Sequence, residues 1–143
     1  MSKSRQREEN YITNSEHETF LLGKKLAESF RGEEVVLLIG ELGAGKTVFT
    51  KGIASGLGLK DIHQVCSPSF TLVNIYRAKH VIYHVDLYRL EKSEEIIDLG
   101  WEDFLGQGVI VVEWAEKIAF KLEAIKAIFK VGKEYQREIK ILS

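Results

Sequence analysis

The sequence predicts a three-layer α/β fold in which helices cover a mixed, partly parallel central sheet and the chain closes on a C-terminal β-hairpin. Three observations lead there. Val35 to Ile39 and Val109 to Val112 are apolar without a polar break, the pattern of strands buried on both faces. The first of these runs into a glycine-rich turn and then a stretch of helical spacing, a strand-loop-helix unit. Finally, Ala124 to Val131 and Gln136 to Leu142 flank the turn residues Gly132-Lys133-Glu134-Tyr135, as strands of a hairpin do.

The elements follow in order. Met1 to Glu9 reads as a polar, flexible tail, and residues 10–143 as a single domain that needs no disulfide or metal staple. Asn10 to Thr13 is expected as a short edge strand. Ser15 and Glu18 fit a capping box, and Phe20, Gly23, Ala27 and Phe30 recur at helical spacing until Gly32, which predicts a packing helix. After the strand at Val35, a second helix carries Val48, Phe49, Ile53, Ala54 and Leu57 and ends at Gly56 and Gly58, with a loop from Leu59 to Gln64. Val65 to Thr71 sets the only proline among hydroxyls. Phe70 to Arg77 and His80 to Asp86 read as strands joined at Ala78-Lys79. Ser93 caps an expected short helix through Ile96, Ile97 and Leu99, and Trp101 to Leu105 adds a turn. Ala115 to Leu122 is expected to be helical before the final hairpin.

Composition excludes several classes. Hydrophobic residues at 45% and charged residues at 29% are ordinary for a soluble globular protein, and no apolar run approaches the roughly 20 residues of a membrane span. The start MSKSRQREEN lacks the apolar region of a secretory signal, and the lone Cys66 has no internal disulfide partner, so the chain reads as cytoplasmic. A net charge of −1 gives no global reason for nucleic-acid binding. The lysines after Lys117 alternate along expected strands and read as a solvated sheet face.

The chemistry sits in Gly40 to Thr47, GELGAGKT, which matches the phosphate-cradling pattern GxxxxGK[ST]. With 12 glycines in 143 residues, that pattern arises in roughly one of 100 shuffled sequences, and the strand before it and helix after it supply the context it requires. Glycines there let successive N–H groups turn inward onto an anion at a helix start. Lys46 brings a positive charge to the β and γ phosphates, and the Thr47 hydroxyl can ligate a bridging Mg²⁺. Glu41, Leu42, Gly43, Ala44, Gly45, Lys46, Thr47 and Val48 are therefore the candidate ATP-binding residues, and the fold class becomes a P-loop NTPase-like one.

Two acidic residues end apolar strands, where ligands bind in open α/β sheets: Asp86 after Val81 to Val85, and Glu113 after Val109 to Val112. A carboxylate there can hold Mg²⁺, and a second can orient or deprotonate an attacking water. Asp86 is assigned mainly to metal, and Glu113 to water activation or the metal's surroundings; both join Lys46 as catalytic candidates, and both join Thr47 as metal candidates. Either carboxylate can instead be a surface group or a helix cap. His84 shares a strand face with Asp86 by alternation, so it lines the site or packs as a hydrogen-bonded core residue. Ser67, Ser69 and Thr71 form either a switch-like loop near the phosphates or plain turn chemistry around Pro68. Trp101 and Trp114 are partner contacts or packing, and Cys66 reads as an inert thiol.

GELGAGKT, SPSFTLVNIY, YHVDLYRL and VVEWAEKI, in this order, resemble the bacterial TsaE (YjeE) family over about Tyr11 to Ile118. The resemblance implies an ATPase of tRNA threonylcarbamoyladenosine biosynthesis, with nucleotide at Gly43 to Thr47 and Mg²⁺ at Thr47 near Asp86 and Glu113. It also implies two partners, a TsaD-like threonylcarbamoyl transferase and its TsaB-like paralogue. The chain departs from the family at Ser69, where a threonine is usual, and at Val48, where a second threonine is common.

The residues themselves offer no arginine finger near the motif beyond Arg89 and Arg77. Such a group is worth about 10³ to 10⁵ in rate, so hydrolysis by the isolated chain is expected to be slow. Two other functions fit a phosphate loop: a small-molecule kinase, which usually carries an arginine-bearing lid, and a GTP-type switch, for which no NKxD-like guanine-reading segment is present.

Overall fold

The computed structural model describes residues 7–41, 43–68, 72–90, 95, 100–118 and 122–143. Seven strands form one mixed sheet in the order β1-β7-β6-β2-β5-β4-β3. They are β1 (Glu8–Thr13), β2 (Val35–Ile39), β3 (Val73–Arg77), β4 (Val81–Asp86), β5 (Val109–Glu113), β6 (Ile125–Val131) and β7 (Arg137–Leu142). The four central strands β6, β2, β5 and β4 run parallel. Antiparallel β7 and β1 extend one side and antiparallel β3 the other. The expected partly parallel sheet and C-terminal hairpin are both present.

Alternation in β2 and β5 splits the core between two faces. Val36, Leu38, Val109 and Val111 face helices α1 (Glu16–Ala27) and α2 (Lys46–Gly56), and pack with Phe49, Ile53 and Ala54. Val35, Leu37, Ile110 and Val112 face the other way, onto Leu87, Leu90 and Ala115, with Phe104 and Trp114 packed against them. The sheet is thus the middle of three layers. Among the described residues no helix is long and apolar enough to cross a membrane.

At the crossing of α1 and α2, glycine on each helix meets backbone of the other. A Cβ on Gly52 would stand 2.0 Å from the Phe20 carbonyl oxygen, and one on Gly23 would stand 2.4 Å from that of Phe49. Ser15 caps α1 as expected, its hydroxyl accepting from the Glu18 N–H at 3.1 Å. Glu18 departs from the standard box by accepting from Asn14 N–H, one residue earlier than the cap.

Several boundaries differ from the sequence reading: α1 stops at Ala27, short of Gly32, and Leu72, at φ +67°, precedes β3 as a bend. β1 begins at Glu8, inside the expected tail, because β7 offers partners for Glu8 and Glu9 at Leu142 and Ile141. At the described start of the helix expected over Ala115 to Leu122 there is instead a 3₁₀ turn, Ala115–Lys117, after which Ile118 is extended. Tertiary bonds override helical spacing there: Glu116 accepts from the Gly40 N–H, and Lys117 Nζ donates to the carbonyls of Tyr88 and Leu90. The helix expected from Ser93 through Leu99 (Glu95 apart), the expected strand start at Phe70 and Thr71, residues 119–121 of the expected helix after Ala115, and candidates Leu42 and Ser69 lie outside the described residues, as does the Trp101 side chain.

Candidate functional site

The carboxyl ends of β2, β4 and β5 meet at one edge of the sheet, where β2 has β6 on one side and β5 on the other. The chain leaves β2 through Gly40 and enters α2 at Gly45. Gly43 and Gly45 have φ of +79° and +98°, a region that L side chains rarely occupy. Gly45 is the cap of α2, and no side chain caps that helix. No side chain therefore answers its first-turn N–H groups, which adjoin a cleft of about 280 Å³ lined by Gly43 to Val48 and by Glu16, Ser67, Glu113 and Trp114.

Lys46 is buried at 5% exposure, and its Nζ donates to the Gly40 carbonyl at 2.5 Å and lies 3.5 Å from the centroid of the Trp114 ring. Burial holds its ammonium below the ordinary lysine pKa, against the opposing pull of Glu116, Glu113 and Asp86. Trp114 reaches over the lysine because it adopts a left-handed backbone, φ +59°, immediately after β5. Its ring also meets Tyr88, 5.0 Å away.

Asp86 and Glu113 are register partners across β4 and β5. Both are buried, at 2% and 3% exposure, so each needs partners. Asp86 accepts from the Ser67 hydroxyl at 2.5 Å and from the Tyr88 N–H at 2.9 Å, and it reaches the cleft through Ser67. Glu113 accepts from the Thr47 hydroxyl at 3.3 and 3.4 Å, and its Oε2 lies 2.5 Å from His84 Nε2. His84 is fully buried and does not line the cleft: it is the hydrogen-bonded core residue of the two readings, and it meets the site only through Glu113. Its other ring nitrogen meets the hydroxyl of Tyr76, whose phenol is pushed up in pKa by burial.

This donor set suits a hard divalent cation, which takes oxygen ligands. The Thr47 hydroxyl sits against the Glu113 carboxylate, with Asp86 one strand away. Among the described residues no group of three His, Cys, Asp or Glu side chains could hold a metal alone, so phosphate and water oxygens would have to complete the shell.

Of the candidates, Gly43 to Val48, Ser67 and Glu113 line one cleft. Glu41 is exposed and closes the turn through its carbonyl, which accepts from Ala44 N–H at 3.1 Å. Sequence reasoning missed three contributors. Arg137 donates to the Gly43 carbonyl at 3.1 Å, and Tyr135, Arg137 and Glu16 line a second hollow beside Gly43, Gly45 and Val48. Their one sequence signal is that the hairpin turn bears an aromatic and an arginine two residues apart.

Comparison with known proteins gives the geometry its relatives. The sequence profile of the family described as threonylcarbamoyl adenosine biosynthesis protein TsaE matches residues 13–139. The chain belongs to the TsaE family. Its relatives include the tRNA threonylcarbamoyladenosine biosynthesis protein TsaE of Aquifex aeolicus, 42% identical over 74% of this chain and 76% of that protein. The protein of the same name from Bacillus subtilis is 42% identical over 85% of this chain and 77% of its own. Against the one from Rickettsia conorii, 45% identical, the match spans 76% of this chain and 62% of that protein. Among solved structures, Bacillus subtilis YdiB superposes with a TM-score of 0.75 at 31% identity, covering 99% of this chain and 88% of that one. The TsaE-family segments quoted from the sequence meet at one sheet edge: GELGAGKT as the loop, Ser67 of SPS, Asp86 of HVD and Glu113-Trp114 of VVEWAEKI.

Proposed function

We propose that this chain is an Mg²⁺-dependent ATPase that serves threonylcarbamoyladenosine formation in tRNA, acting with a TsaD-like transferase and its TsaB-like paralogue. The observation that carries the reading is the meeting of three groups: Lys46 and Thr47 at the uncapped start of α2, and the Glu113 carboxylate 3.3 Å from the Thr47 hydroxyl. Family membership supports the pathway.

In this reading the phosphates lie on the N–H groups of Gly43 to Thr47, and Lys46 exchanges the Gly40 carbonyl for a β or γ phosphate oxygen. Mg²⁺, when bound, neutralises charge on the β and γ phosphates. Thr47, with Asp86 and Glu113 nearby, would hold it. Glu113 also orients the attacking water or takes its proton, and Trp114 shields Lys46 from solvent. Arg137, the arginine that lies against the phosphate loop, is committed to carbonyl oxygens of Gly43, Glu134 and Gln136. Slow turnover follows for the isolated chain, with stimulation by the transferase complex.

Phosphate release tests this, measured for ATP and GTP side by side with no acceptor, alone and with the two partner proteins. ATP preference and a rate raised by the partners are expected. Release only with a small-molecule acceptor would point to a kinase, and a strong GTP preference to a switch.

A further inference from the structure

Glu113 and the loop at Cys66 are joined through the core. His84 Nε2 lies 2.5 Å from Glu113 Oε2, and His84 Nδ1 lies 3.0 Å from the Tyr76 hydroxyl. That hydroxyl also lies 3.2 Å from the Cys66 carbonyl oxygen and accepts from the Cys66 N–H at 3.3 Å, its single proton going either to the carbonyl or to His84 Nδ1. The next residue, Ser67, is bound to Asp86. One short loop is therefore tied to both strand-end carboxylates, to Asp86 directly and to Glu113 through two buried rings.

His84 occupies a β4 position whose neighbour on the same face is Ile82, and both are wholly buried. An aliphatic residue would fill that position without the cost of burying an imidazole. What it could not do is hold Glu113. The Thr47 bonds to that carboxylate are long, at 3.3 and 3.4 Å, and among the described residues its one short contact is His84. The imidazole thus sets where the carboxylate points, and Tyr76 sets the imidazole.

We propose that His84 is a positioning residue that fixes the Glu113 carboxylate at the phosphate loop, and that the Tyr76–His84 bridge locks the Cys66–Ser67 loop to it. The first half rests on the ATPase reading; the second does not. A bridge of this kind makes an event at Thr47 and Glu113 felt at the loop, Ser67 being bound to Asp86 directly and Cys66 to Glu113 by way of Tyr76 and His84.

The experiment compares wild type with His84→Ala, His84→Gln and Tyr76→Phe, each checked by thermal melting. Four quantities are read: kcat and KM for ATP with Mg²⁺, ADP affinity by calorimetry, and the rate at which a disulfide reagent modifies Cys66. That exposed thiol is the only one in the chain, and its rate needs no nucleotide. For His84→Ala, kcat should fall about 10- to 100-fold while KM and ADP affinity stay within about threefold. His84→Gln, whose amide can still donate to Glu113, should recover most of the rate. Tyr76→Phe and His84→Ala should each speed Cys66 modification about fivefold by loosening the loop. An unchanged kcat in His84→Ala, or equal losses in the alanine and glutamine variants, overturns the positioning role. An unchanged Cys66 rate in the folded Tyr76→Phe protein overturns the bridge. If wild type neither binds nor hydrolyses ATP, the ATPase reading fails, while the Cys66 rates still decide the bridge.

Discussion

Arg137 reaches across 94 residues of sequence to donate to the Gly43 carbonyl, 3.1 Å away, and so fastens the start of β7 to the turn of the phosphate loop. The same guanidinium holds the Glu134 and Gln136 carbonyls at 3.0 and 2.8 Å, making it a buckle between hairpin and loop. Arg137→Ala frees that turn, and a charge-assisted bond of this kind supports a loss of about tenfold in ATP affinity. A lysine at 137 should restore only part of it, since one ammonium cannot reproduce the guanidinium fork. Calorimetric titration with ATP checks this, and wild-type affinity in the alanine variant would count against it.

Lys46 is held without the solvent its ammonium prefers. Because burial lowers its folded pKa, the folded chain binds that proton less firmly than the unfolded chain does, and the charge costs stability at neutral pH. Lys46→Met should therefore weaken ATP binding about 100-fold while leaving the nucleotide-free melting temperature equal to wild type or higher. A melting temperature well below wild type would mean that the lysine is structural.

Glu34 gives a pH dependence with a definite sign. Burial pushes its carboxyl up, but N–H groups of Arg31, Gly32 and Glu33, at 2.8, 2.9 and 3.0 Å, overcome that and hold it below the usual range. A depressed folded pKa contributes stability above the unfolded value near 4.5, and that stability is lost as pH falls through the folded value. Melts of wild type and Glu34→Gln should differ at pH 7 and converge in acid. A gap that stays constant with pH would contradict the assignment.

Gly52 tests the helix crossing. A methyl group there would sit 2.0 Å from the Phe20 carbonyl oxygen and 3.0 Å from the Lys24 nitrogen, both backbone atoms that cannot swing aside. Gly52→Ala should cost about 3 kcal/mol, measured by urea unfolding, at the upper end for overpacking. At Gly43 a Cβ meets nothing within 4 Å, and the cost of alanine is left to its φ of +79°, about 1–2 kcal/mol.

What the sequence made legible is what neighbours in the chain decide. The run from Val35 through Lys46, the Ser15 cap and the hairpin around Gly132 each carry their signal within a dozen residues. The pairing of Asp86 with Glu113 was half legible: each carboxylate ends a readable strand, but which strands lie side by side depends on sheet order. For the same reason alternation put His84 on the face of Asp86, yet could not supply Glu113 as its partner. Arg137 was out of reach because its place at Gly43 depends on β7 and β6 lying beside β2. At Ala115 to Leu122 the helical spacing was genuine, but Glu116 and Lys117 are spent on distant backbone groups.

In the proposed ATPase, Glu113 acts on a nucleotide held by Lys46 and Thr47. The most direct measurement is single-turnover hydrolysis of ATP with Mg²⁺ by wild type and Glu113→Gln, in the presence of the transferase and its paralogue. Glutamine keeps the size of the side chain and loses its charge, so binding should persist while the rate falls about 100-fold or more. Equal rates in the two proteins would contradict the account.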